Sequence, residues 1–180
     1  MRSETTHDRV LEFMAKLGRG VKGAGRIYLT GGASAVLFGW RSATMDIDLQ
    51  ADPEPLGFFE ALPDIKEALD INLELASPAD FIPQLPGWQD RSVFIGRYGS
   101  VDFYHYDFYS QALAKLERYH DRDLLDVKAM LERGFIKKGR LLELFETIKP
   151  KLIRYPSISP SAFADRVLQF TTNGGNAENQ

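Results

Sequence analysis

The segment from residue 27 to residue 49 constrains the fold more than any other part of the chain. Residues 27–30 are a short apolar run, residues 33–38 have helical spacing, and residues 44–49 alternate between polar and apolar side chains. Alternation with a period of two is typical of a strand that buries one face. The sequence therefore predicts a strand, a short helix and a second strand in close succession.

The second of these strands carries two acids, Asp46 and Asp48, on either side of Ile47. Side chains alternate along a strand, so both carboxylates point to one face with Cβ atoms roughly 6.5–7 Å apart. Met45, Ile47 and Leu49 are expected to point into the core. Two like charges on one face repel each other, and bound Mg²⁺ offsets that repulsion because it prefers carboxylate oxygens. A solvated strand face with two surface acids is the alternative.

Composition excludes several classes of protein. The 180 residues include no cysteine, so disulfides and thiolate zinc sites are excluded. Hydrophobic residues make up 44%, charged residues 26%, and the net charge is -3, which disfavours a broad nucleic-acid surface. No apolar run is long enough to span a bilayer, and the first residues lack the hydrophobic region of a signal peptide. We expect a cytoplasmic protein without membrane contact.

The remaining segments predict an α+β fold, with a small mixed sheet flanked by helices and a helical C-terminal lobe. The predicted domains are a core over 1–108, a helical lobe over 109–170 packed on it, and a disordered tail over 171–180. The glycine-rich stretch from Gly18 to Arg26 is expected to be a flexible connector or, less favoured, a phosphate cradle. The other predicted helices are 7–17, 56–69, 109–119, 122–133, 138–147 and 160–171, and the other predicted strands are 70–76 and a hairpin that turns near Tyr98–Ser100.

The glycine pair before the short helix predicts a phosphate contact. Gly31 and Gly32 let backbone amides approach a phosphate at a helix start. Ser34 can add a hydroxyl from the first turn. Arg41 can reach a phosphate, or it can form a structural ion pair with one of the strand acids.

Taken together, residues 31–49 (GGASAVLFGWRSATMDIDL) resemble the signature of the DNA polymerase beta-like nucleotidyltransferase superfamily. The Gly-Gly variant with Arg-x-x-Thr before Asp-Ile-Asp is similar to bacterial minimal nucleotidyltransferases associated with toxin–antitoxin systems, relatives of the abortive-infection toxins. Residues 112–127 carry a looser similarity, a helical lysine followed by Arg-Asp-x-x-Asp. The resemblance implies Mg²⁺-dependent transfer of a nucleoside monophosphate from a nucleoside triphosphate (NTP) to an acceptor hydroxyl.

The resemblance also implies roles for individual residues. Lys115 would touch a phosphate, and Asp123 and Asp126 match the late acids. Their alternatives are structural, because Asp123 can be a first-turn acid of a helix and Asp126 can pair with Arg122 or Lys128. The carry-over assigns the nucleotide phosphates to Gly31 and Gly32, with Ser34 and Arg41 beside them, and Mg²⁺ to Asp46 and Asp48.

A third carboxylate usually assists two-metal chemistry, and the family pattern leaves its identity open. Glu74 and Asp102 are the candidates, and Glu74 is preferred because its strand follows the acid strand directly in the chain. If neither faces Asp46 and Asp48, a one-metal site or a lapsed enzyme is expected. The catalytic set thus comprises Asp46, Asp48, Glu74, Asp102, Lys115 and Asp123.

Partners are less sharply indicated. The aromatic segment 103–109 can stack a base, although packing against the helical lobe is favoured. The resemblance points to RNA, such as a tRNA 3′ end, or to a protein as acceptor, and a small molecule such as an aminoglycoside stays open. A cognate toxin or antitoxin and a homodimer are further expectations. The rival interpretations are a nucleotide sensor and a non-catalytic protein-binding antitoxin of the same fold.

Overall fold

The computed structural model describes residues 2–173, and these divide into two compact units. The first comprises the residues up to Ser77 together with Gln89–Asp107, and the second comprises Pro78–Trp88 together with the residues from Phe108 on. The first unit contains both sheets, whereas the regular structure of the second is helical. The predicted α+β class is confirmed.

The helices are α1 (His7–Gly20), α2 (Gly32–Phe38), α3 (Phe58–Leu69), α4 (Trp88–Arg91), α5 (Phe108–Arg118), α6 (Asp121–Glu132), α7 (Lys138–Ile148) and α8 (Pro160–Thr172). The strands are β1 (Thr5–Thr6), β2 (Gly25–Thr30), β3 (Ala43–Thr44), β4 (Asp46–Ala51), β5 (Asn72–Leu75), β6 (Val93–Tyr98) and β7 (Val101–His105). Short 3-10 helices cover Pro78–Asp80 and Lys149–Arg154.

Five strands form the main sheet in the order β5-β4-β2-β7-β6. Strand β2 pairs antiparallel with β4 and parallel with β7, while β5 is parallel to β4 and β6 antiparallel to β7. The predicted hairpin is confirmed as β6 and β7. A two-stranded sheet of β1 and β3 was not predicted, because two residues carry no periodic pattern.

One face of the main sheet packs against α1 and α3 to form the core of the first unit. Phe13 and Leu17 from α1 join Ile47 and Leu49 from β4 in one buried cluster. The alternation in β4 is thus confirmed, but Met45 is 39% exposed because it lies between β3 and β4, outside either strand. The opposite face of the sheet carries the acids.

The glycine-rich connector is shorter than predicted. Gly18 and Gly20 belong to the last turn of α1, and Gly25 begins β2. A Cβ at Gly18 would lie 2.4 Å from the backbone oxygen of Tyr98, so this glycine allows the close contact of α1 with β6. Helix packing therefore accounts for this glycine without a phosphate.

The helices of the second unit match the predicted ones to within one or two residues. Helix α8 begins at Pro160 after Ser159, whose hydroxyl caps the first turn by accepting a hydrogen bond from the amide of Ala162. The core of this unit includes the ring pair Phe145 and Phe163. The predicted tail, 171–180, begins inside α8, and its residues from 174 on lie outside the described residues.

Candidate functional site

The two strand acids lie on one face of β4, the face that points away from the core of the first unit. Asp46 and Asp48 are both half-buried, whereas Ile47 and Leu49 on the other face are fully buried. The sequence-predicted sharing of one face by the two carboxylates is confirmed. The apolar side chains buried on the opposite face of β4 explain why a segment with two acids still forms a strand.

Strand pairing brings Glu74 beside these acids. Asp48 is the register partner of Thr30 in β2 and of Glu74 in β5, and Asp46 is the partner of Asn72. Register partners on adjacent strands point to the same face and lie about 4.8 Å apart. Glu74 is exposed, so its carboxylate is accessible on the face that carries Asp46 and Asp48.

Asp102 lies in a different part of the same face. Its register partner in β2 is Arg26, four residues before Thr30. Its carboxylate accepts two hydrogen bonds from the Arg97 guanidinium, at 2.7 and 2.9 Å. These bonds hold the pKa of Asp102 below its usual value. Of the two candidates for the third carboxylate, the structure brings Glu74 to the acid pair and does not bring Asp102.

The glycine pair forms the turn from β2 into α2, and Gly31 borders the acids. Gly31 has φ +61° and ψ -129°, a conformation that L-residues rarely adopt. A Cβ there would lie 3.1 Å from Oδ2 of Asp48. At Gly32 a Cβ would lie 2.1 Å from Oγ1 of Thr44, so this glycine is required by packing. Gly31 is therefore the member of the pair that shapes the surroundings of Asp48.

Ser34 forms hydrogen bonds inside the protein. Its hydroxyl donates to the carbonyl of Leu29 at 3.3 Å and lies 2.9 Å from Nδ1 of His105. Because the serine proton is committed to Leu29, we assign the imidazole proton to Nδ1, which donates to Ser34. Burial lowers the pKa of His105 to about 4, so the ring is neutral near pH 7.

The sequence analysis did not predict that His105 is buried and hydrogen-bonded to Ser34. The only signal was its position in β7, where the alternation places it at a buried strand position. Arg41, the other predicted phosphate ligand, is half-buried and follows the end of α2 at Gly39. Its backbone amide donates to the carbonyl of Ala35 at 3.4 Å.

Lys115 and Asp123 lie in the second unit, in an ion-pair network that joins α5 to α6. The Lys115 ammonium lies 2.8 Å from Asp126 and 3.5 Å from Asp123, and all three side chains are buried. Arg118 adds two hydrogen bonds to Asp123, at 2.6 and 2.8 Å. Burial would raise the pKa of Asp123, but the Arg118 hydrogen bonds and the Lys115 charge outweigh it and hold that pKa below its usual value.

Comparison with known protein families identifies the family of this chain. A family model described as "Nucleotidyltransferase of unknown function (DUF6036)" matches residues 9–155. The chain belongs to this nucleotidyltransferase family. The match spans β4, β5, β7 and α6, which carry the acids Asp46, Asp48, Glu74, Asp102, Asp123 and Asp126. Neither the curated proteins nor the solved structures gave a significant match.

The side chains that could ligate a metal in this nucleotidyltransferase-family chain fit a cation that needs few protein ligands. Within residues 2–173, no group of three or more histidines, cysteines, aspartates or glutamates is arranged to hold a metal ion. Mg²⁺ usually takes one or two carboxylates and completes its shell with water and phosphate oxygens. Asp46 and Asp48 supply that number of carboxylates.

In the described part of the chain, no helix combines the length and apolarity needed to cross a membrane.

Proposed function

We propose that this chain is a Mg²⁺-dependent nucleotidyltransferase that moves a nucleoside monophosphate from an NTP to an acceptor hydroxyl. One observation carries the proposal: Asp46, Asp48 and Glu74 share one sheet face beside the Gly31 turn. The family match supports the same reaction class. The toxin–antitoxin association implied by the sequence resemblance is part of this proposal.

Asp46 and Asp48 would hold Mg²⁺, which when bound neutralises charge on the transferred phosphoryl group. Gly31 has no side chain beside Asp48 and would leave space for the NTP phosphates. Arg41 would contribute a positive charge to those phosphates. These assignments need no residue outside the first unit.

The proposed reaction breaks the bond between the α-phosphorus and the bridging oxygen to the β-phosphate. The acceptor oxygen forms the new bond to the α-phosphorus, and pyrophosphate leaves. The proton of the acceptor hydroxyl would pass to Glu74, which is exposed next to Asp48 and can serve as general base.

The roles of Lys115 and Asp123 in catalysis stay predictions. The hydrogen bonds of Lys115 to Asp123 and Asp126 support a structural role for the pair in joining α5 to α6.

The proposal is tested by incubating the protein with each α-³²P-labelled NTP, Mg²⁺, total cellular RNA and cellular protein. The wild type should transfer label to one acceptor class, and the double variant Asp46→Asn, Asp48→Asn should transfer none. Asp64→Asn is the matched control because Asp64 is an exposed acid of α3, on the other side of the sheet. Circular dichroism should show that all three proteins are folded.

Label on RNA or on protein would identify the acceptor class. Equal labelling by wild type and the double variant would refute the assignment of Asp46 and Asp48. Binding of NTP by the wild type without transfer to any acceptor would replace the transferase with a nucleotide sensor.

A further inference from the structure

The acid-bearing face of the main sheet carries a second row of side chains next to the acids. Tyr28 lies two residues before Thr30 in β2, and its register partner in β7 is Tyr104. The partner of Tyr104 in β6 is Phe94. Register partners share a face, so these three rings, here named the aromatic row, lie on the face that carries Asp48.

The rings of the aromatic row contact one another from the interior of the sheet to its edge. The centroids of Tyr28 and Tyr104 are 5.3 Å apart with the rings 24° from parallel, and Phe94 meets Tyr104 edge-on at 5.5 Å. Tyr28 is buried, Tyr104 is half-buried and Phe94 is 56% exposed. The row thus holds its outer ring in place by an edge-on contact with Tyr104 while presenting that ring to solvent.

Two guanidinium groups border the aromatic row on the side away from the acids. Arg26 hydrogen-bonds to Tyr28 and is exposed. Arg97 is held by the Asp102 carboxylate, and its side chain is 66% exposed. A fixed guanidinium beside an aromatic ring can stack on a nucleobase and can bind a phosphate.

The distance from the aromatic row to the acids suits a short strand of nucleotides. The offset is two residues along the strand, about 6.6 Å, and two or three strands across the sheet, about 10–14 Å. The separation from Asp48 is therefore about 12 Å for Tyr104 and about 16 Å for Phe94. At the rise of about 3.4 Å per stacked nucleotide, three to five nucleotides span it.

We propose that the aromatic row binds single-stranded nucleic acid by stacking a base on Phe94, the ring that it presents to solvent. A single strand is required, because paired bases expose no ring face to a protein side chain. The net charge of -3 fits binding through stacking, not through a broad basic surface. Resting on the proposed function, this inference makes the bound strand the acceptor that reaches the acids.

The test measures binding of a fluorescein-labelled single-stranded RNA of about 12 nucleotides, a length that one binding site can cover. The same sequence is also tested as single-stranded DNA and as an RNA duplex. The affinities for the three nucleic acids are then compared. Phe94→Ala should weaken binding of the single strand about tenfold, within the range seen when one stacking ring is removed. Phe94→Tyr keeps a ring face and should bind as the wild type does.

Phe59→Ala is the matched control, because Phe59 is 53% exposed but lies on α3. It should bind the single strand as the wild type does, and the duplex should bind more weakly to every protein. Absence of single-strand binding by the wild type, or equal losses in Phe94→Ala and Phe59→Ala, would overturn the proposal.

Two further results separate this inference from the proposed function. Single-strand binding that depends on Phe94 in a protein that transfers no nucleotide would keep the binding surface and remove the transferase. Transfer to a protein acceptor with no single-strand binding would keep the transferase and overturn the binding surface.

Discussion

Gly31 is the residue at which backbone conformation and the proposed chemistry are most directly linked. Its φ and ψ lie in a region that essentially only glycine occupies, and its missing side chain faces Oδ2 of Asp48. The nearby Gly39 also has positive φ, but a Cβ there would meet nothing within 4 Å. The two glycines therefore share a backbone requirement and differ in their neighbours.

We predict that Gly31→Ala lowers nucleotide transfer about a hundredfold, because a displacement of about 1 Å near reacting groups costs that much. It should also lower the free energy of unfolding by about 1–3 kcal/mol from backbone strain. Gly39→Ala should lose about 1 kcal/mol of stability and keep its transfer activity. Initial rates and urea unfolding of the two variants measure both effects, and equal losses of activity would contradict the role given to Gly31.

His105 makes stability depend on pH through its buried, neutral ring. The unfolded imidazole takes up a proton as the pH falls through 6.5, but burial holds the pKa of the folded one at about 4. The unfolded state binds more protons in that window, so the free energy of unfolding falls as the pH decreases. The hydrogen bond to Ser34 is not the cause of the lowered pKa, because the neutral and the protonated ring can both donate through Nδ1.

We predict that the His105 contribution lowers the free energy of unfolding by about 3 kcal/mol between pH 6.5 and pH 4. His105→Gln should remove that part of the pH dependence. His7→Gln should retain it, because the His7 side chain is 52% exposed. Urea unfolding at several pH values measures the slope, and an unchanged slope in His105→Gln would show that the buried ring is not its source.

At the scale of secondary structure, the ion pairs of Lys115 hold α5 and α6 together. Its ammonium contacts two buried carboxylates, Asp123 and Asp126, and removing it would leave both without that charge. Losing one partner of a buried pair costs more than losing an exposed pair, because the remaining charge stays out of water. The pair Lys149 and Glu146, at 3.8 Å, is half-exposed and provides the comparison.

We predict that Lys115→Met lowers the free energy of unfolding by about 3 kcal/mol. Adding Asp126→Asn should recover part of this loss, because it removes a buried carboxylate that the Lys115 ammonium no longer neutralises. Lys149→Met should cost less than about 1 kcal/mol. If Lys115→Met unfolds like Lys149→Met and yet loses transfer activity, Lys115 belongs to the site, as the sequence resemblance implies.

At the scale of the whole molecule, the sequence predicted the fold class and most of the elements. Period-two and helical patterns are local, so β2, α2, β4 and the helices from α5 to α8 were found close to their actual bounds. The errors came from contacts distant in the chain. Gly18 belongs to α1, which packs closely on Tyr98, and Met45 lies outside the core, between β4 and the strand β3 that pairs with β1.

Some features of the candidate site could likewise be predicted from local sequence patterns, and others could not. The faces of Asp46 and Asp48 follow from strand alternation, and the glycine turn follows from residue type, so both could be predicted. The partner of a strand residue depends on register, which no local pattern specifies. Register brings Glu74 to Asp48 and commits Asp102 to Arg97. It also places the aromatic row on the acid face.

The sequence by itself determined the α+β class, the shared face of the two acids and the glycine turn before α2, because each depends on neighbours within a few residues. Only the tertiary structure decided which acid accompanies the pair, that His105 is buried against Ser34, and that Lys115 is bound by two carboxylates. These depend on strand order and helix packing, which bring together side chains that are distant in the chain.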